Sequence, residues 1–143
     1  MDFLSAMKIS SSGMSLQRTR MNVISSNLAN INTTRTPEGG PYRRKSVVAE
    51  ASPVDGGGFS STLDNAIRDV KVVDVKEDQS EPRMVYDPSN PDANENGYVA
   101  MPNVNVMEEM VDMINASRAY EANAAAASAA KTMAQRALEI GQR

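Results

Sequence analysis

The residues that come nearest to a chemical site are Asp92, Asn94, Asn96 and Gly97. Their spacing matches the D-x-[DN]-x-[DN]-G opening of a calcium-binding loop, with Val99 at the usual apolar position. Such a loop closes its coordination shell with a bidentate glutamate at position twelve, and here that residue is Asn103. Pro88 and Pro91 stand where the entering helix should run, and proline removes a helical N–H and clashes with the preceding turn. A polar turn is the simpler reading. Gly56-Gly57-Gly58 is not followed by a helix carrying a P-loop lysine, and no G-x-G-x-x-G passes through it, so it reads as a turn. Arg43-Arg44-Lys45 is a compact basic cluster without interleaved aromatics, the usual makeup of a solvated strand or loop. Two glycosylation sequons, at Asn32 and Asn115, would need a secretory context to matter.

Composition weakens the case for catalysis further. The 143 residues include no histidine, cysteine or tryptophan, which removes the commonest general base, the thiol nucleophile and the soft metal ligands. We therefore expect no enzyme, no catalytic or metal-binding residue and no cofactor. With 15 basic and 18 acidic residues the net charge is −3, which gives no bulk attraction to nucleic acid or to an anionic membrane. The Met1-Asp2-Phe3-Leu4 start lacks the basic and apolar regions of a cleavable secretory signal. No segment reaches the ~20 apolar residues needed to cross a bilayer, so direct membrane insertion is not expected.

The elements that would position functional residues are mainly helical. In segment 1–34, Met7, Met14, Met21 and Leu28 recur every seven residues, interleaved with Phe3, Ser10, Gln17, Ile24 and Ile31. That is the a/d pattern of a coiled-coil seam. Asp2 is a candidate cap, and Gly13, after Ser10-Ser11-Ser12, predicts a bend or a helix break because glycine costs about 1 kcal/mol in a helix interior. Segment 35–104 carries three strand candidates, Tyr42 to Glu50, Val70 to Lys76 and Arg83 to Tyr86, separated by glycine, proline and polar turns. It predicts a small β-rich or extended middle. In segment 105–143, Asn105 caps a helix from Val106 to Ile140, roughly 52 Å long at 1.5 Å per residue. Its centre, Ala122 to Ala130, is nearly all alanine, which lets a second backbone approach closely. The fold class expected is mainly α, with the two terminal helices pairing as an antiparallel coiled coil.

Several separated stretches resemble the bacterial flagellar rod and hook proteins. Asn27-Leu28-Ala29-Asn30 followed by Asn32-Thr33, and later Tyr42-Arg43, are similar to the family's N-terminal signature. The segment around Arg118, Tyr120 and Asn123 is similar to its C-terminal one, and the stretch through Gly97, Tyr98, Pro102 and Asn103 is most like the proximal-rod members. The resemblance implies a structural subunit of the proximal rod of the flagellar basal body, assembling helically and transmitting torque across the periplasm. It implies export through the flagellar type III apparatus without a cleaved signal peptide. The partners implied are further copies of the chain, other rod proteins, the membrane-ring adaptor protein and, during secretion, the export apparatus; no nucleic acid is implied.

On this reading subunit packing falls to Met14, Met21, Ile24, Leu28 and Ile31 of the first helix. From the second it falls to Met110, Ile114, Ala124, Ala127, Met133 and Leu138. The alternative is an amphipathic-helix module that clasps a partner or lies on a membrane. It would want basic residues beside the apolar stripe, whereas the second helix opens with Glu108, Glu109 and Asp112.

Overall fold

Helix α1 runs without interruption from Phe3 to Ala29. The computed structural model describes residues 3–53 and 68–141, so the Asp2 cap and the Gly56–Gly58 turn lie outside the described residues. The expected break at Ser10–Gly13 does not occur. The Ser10 and Ser12 hydroxyls donate to the carbonyls of Ala6 at 3.0 Å and Ile9 at 2.9 Å and stay within the helix. Gly13 has a packing reason instead: a Cβ built there would lie 2.9 Å from Asn123 Nδ2. The missing side chain makes room for the second helix, and that contact offsets glycine's poor propensity.

The first helix ends earlier than the sequence pattern suggests. Asn30 bonds back to the Ser26 carbonyl through both its backbone N–H, at 3.1 Å, and its side-chain amide, at 2.9 Å. Local side-chain bonding of this kind competes with the helical ladder and starts a turn. Helix α2 spans Val106–Gly141, 36 residues. Asn105 caps it as expected, its Oδ1 accepting from the Met107 N–H at 3.1 Å while its carbonyl accepts from Glu109 at 3.0 Å.

Among the described residues four strands lie between these helices: β1 (Lys45–Pro53), β2 (Arg68–Glu77), β3 (Arg83–Tyr86) and β4 (Tyr98–Met101). They form two separate two-stranded sheets, β1 with β2 and β3 with β4. The chain is thus mainly helical with a small β middle. β4 was not among the expected strands, because four residues after a run of turn formers carry little pattern. The β3–β4 pair is antiparallel, in the register Arg83↔Met101, Met84↔Ala100, Val85↔Val99 and Tyr86↔Tyr98. At the end closed by the 87–97 loop the Tyr86 and Tyr98 rings pack edge to face with centroids 5.3 Å apart.

The chain folds as two units, each drawing on both helices and the middle. The first comprises residues 1–19, 48–74 and 115–143, the second 20–47 and 75–114. In the first, the buried positions are small or polar: Ser10, Asp69, Ala116 and Ala130. In the second they include Ile24, Asn27, Tyr42, Val99, Pro102, Val104 and Glu109.

Candidate assembly interface

The two helices meet through small and polar residues. On α2, Glu109, Ala116 and Ala130 are buried and Asn123 is half-buried, a row with a strict seven-residue spacing. Half-buried Met113, Tyr120, Ala127 and Ala134 complete the seam four residues on. On α1, Ser10 and Ile24 are buried and Gln17 is half-buried, which is one half of the expected seam. The other half is displaced by one residue. Gly13 meets Asn123 and Asn27 meets Glu109, so these positions face α2, and Met14 and Leu28 sit on the flank of the contact.

The second unit holds its part of α1 and α2 to the intervening loop through one buried polar network. Asn27 is 1% exposed and uses its full bonding capacity. Its Nδ2 donates to the Lys45 carbonyl and to Glu109 Oε2, both at 2.9 Å. Its Oδ1 accepts from the Tyr42 hydroxyl at 3.0 Å and from the Lys45 N–H at 2.9 Å. Glu109, 0% exposed, takes its second bond from Arg44 Nε at 2.5 Å. Arg44 also faces Asp112 at 3.5 Å, and its backbone N–H donates to Asn103 Oδ1 at 2.9 Å. The Glu109 hydrogen bond, helped by the charges of Glu109, Asp112 and Glu108 and opposed by burial, holds the Arg44 guanidinium above its ordinary pKa. A buried carboxylate is tolerated only when paired and hydrogen-bonded, and here both conditions hold.

The residues first singled out for metal binding are occupied in building a turn. Asn94 Oδ1 accepts from the Asn96 N–H at 3.0 Å and the Tyr98 N–H at 2.9 Å, and Asp92 accepts from the Thr34 hydroxyl at 2.7 Å. Gly97 adopts φ +78°, and a Cβ there would lie 2.9 Å from the Tyr86 ring. Arg43 points away from the network to Gln79, so in the Tyr42-Arg43-Arg44 run it is Arg44 that reaches α2. Asn103 Nδ2 donates to the Ser80 hydroxyl at 2.7 Å and Pro102 is buried. Arg118 and Asn32 are exposed. Sequence reasoning did not single out Arg44 or Glu109 as partners. The signal for Glu109 was its place one heptad before Ala116.

Of the residues expected to pack between subunits, Ile24 is buried inside the chain, while Met14, Met21, Leu28, Ile31, Ala124 and Ala127 are half-buried. Met110, Ile114, Met133 and Leu138 are 50%, 52%, 66% and 68% exposed. The outer face of α2 is therefore left with large apolar side chains in water.

These features coincide with two family models. One described as flagella basal body rod protein matches residues 7–35, and one described as flagellar basal body rod FlgEFG protein C-terminal matches residues 95–140. The chain is 46% identical to the flagellar basal-body rod protein FlgC of Bacillus subtilis strain 168, over 96% of this chain and 97% of that protein. The chain belongs to the FlgC family of flagellar basal-body rod proteins. FlgC of Borreliella burgdorferi is 44% identical over 99% of both chains. FlgC of Salmonella typhimurium strain LT2 is 41% identical over 99% of this chain and 100% of its own. The two matched regions hold α1 and α2 with the Gly97–Asn103 approach to it, the elements whose contacts are described above.

Proposed function

We propose that the chain is a structural subunit of the proximal flagellar rod, stacking helically with further copies and with other rod proteins to transmit torque. The observation that carries this reading is the division of labour on α2. One face meets α1 through Glu109 and Asn123 and also buries Ala116 and Ala130, and the opposite one keeps Met107, Met110, Val111 and Ile114 exposed. A contiguous apolar stripe left in water on a helix face is completed by burial against a neighbour. Among the described residues no helix is long and apolar enough to cross a membrane, and Glu108 and Asp112 beside the stripe disfavour an anionic lipid surface. Protein neighbours are the fitting partner.

Under this reading the chain leaves the cytoplasm through the flagellar export apparatus, without cleavage of its first residues, and reaches the periplasmic rod beside the membrane-ring adaptor. Basal bodies purified from cells carrying an epitope-tagged chain test it. The tag should stay with the rod through detergent and salt washing, and its N-terminal sequence should remain that of the gene product. Loss of the tag to the membrane or soluble fraction would refute the proposal.

A further inference from the structure

We infer that the exposed stripe of α2 is covered by the methionine flank of α1 from a neighbouring copy of this chain, with Glu108 of one copy facing Arg18 of the next. The inference rests on the rod-subunit reading and adds which surfaces meet. Met107, Met110, Val111 and Ile114 are 70%, 50%, 55% and 52% exposed. Their i, i+3, i+4, i+7 spacing makes them one stripe, on the side of α2 opposite Ala116. Its charged edge is acidic, formed by Glu108 and Asp112. Asp112 is shared with Arg44, while Glu108 forms no ion pair among the described residues.

Helix α1 offers the complement. From Phe3 to Ala29 it contains Lys8, Arg18 and Arg20 and no acidic residue. Met7 is 37% exposed and Met14 is half-buried, one heptad apart on one flank, with Arg18 a single turn beyond Met14. An acid-edged apolar stripe thus has a base-edged partner on the same chain, and like-charge contact of two α2 stripes is disfavoured. Because the two surfaces differ, the contact is heterologous, and when it does not close into a ring it repeats as a helical stack. Methionine side chains adjust to small differences between neighbours, as a stack with non-equivalent ends requires.

The absence of native cysteine permits a direct test. Ile114→Cys and Met14→Cys versions are co-expressed in cells lacking the wild-type chain, and their basal bodies are oxidised. A disulfide-linked dimer is expected only when both versions are present. In parallel, Glu108→Arg and Arg18→Glu should each reduce motility and rod assembly, and the double variant should restore them. A dimer from Ile114→Cys alone, its capture of a different rod protein, or single charge variants that assemble normally would each overturn the inference. Failure of the double variant to restore assembly, with both singles defective, would do so too. Those results leave the rod reading standing, whereas normal rods in cells lacking the chain would defeat both.

Discussion

Asn27 has its whole hydrogen-bonding capacity spent inside the protein, and Glu109 is fully buried with Arg44 as its charge partner. Arg44→Ala leaves that carboxylate with Asn27 alone, and breaking a buried pair in this way costs about 3–5 kcal/mol. Urea unfolding followed by far-ultraviolet circular dichroism should report that loss. Pairing the change with Glu109→Gln should recover part of it, since the uncompensated charge is gone. Arg44→Lys should not recover it fully, because an ammonium lacks the guanidinium fork that serves Glu109 and Asp112 together.

The Arg44 charge is insensitive to ordinary pH. The Arg44 pKa is raised, so its contribution is complete below the ordinary guanidinium range and is lost only in strong alkali. Asp78 behaves oppositely: hydrogen bonds from the Ser80 backbone and side chain hold it below its ordinary 3.8. Its contribution is present above that value and disappears as the pH falls through the lowered one. Asp78→Asn should therefore lower stability at neutral and alkaline pH and leave it little changed in strong acid, flattening the acid dependence, as pH-resolved thermal melts would reveal.

At the scale of elements, Gly13 decides how closely α1 and α2 meet. Gly13→Ala would gain about 1 kcal/mol of helix propensity, but its Cβ would crowd the Asn123 amide at 2.9 Å. The single variant should fall short of that gain, and Gly13→Ala with Asn123→Ala should exceed Gly13 with Asn123→Ala by it. Equal effects in both backgrounds would mean that the approach is looser than described. Ala130, 6% exposed on the same seam, should tolerate no charge, and Ala130→Glu should cost several kcal/mol in the same melts.

The two helices, their heptad spacing and the Asn105 cap were legible from the sequence because periodicity and capping chemistry are local. The bend expected at Gly13 was not found, since the reason for that glycine lies on a residue 110 positions away, Asn123. The one-residue offset of the α1 seam has the same origin. Met7 and Met14 read as core by hydrophobicity, yet the contacts with Asn123 and Glu109 set Gly13 and Asn27 against α2. Strand β4 and the Arg44–Glu109 pair depend on contacts between distant segments, which spacing alone does not encode.

Helix α2 buries Ala116 and Ala130 and leaves Met107, Met110, Val111 and Ile114 in water, the inverse of a helix in a self-sufficient domain. That distribution is understandable for a piece whose core is completed by neighbours, and it fits the FlgC family to which the chain belongs. Half-buried Ala127 lies on the inner seam, and Ala127→Glu is expected to block incorporation into the rod. Normal rods built from that variant would show that the seam stays open in the assembly. The most direct measurement is electron microscopy of basal bodies from cells lacking this chain, with and without the wild-type copy restored. The rod should be absent, with motility lost, and both should return on complementation; intact rods in its absence would contradict the account.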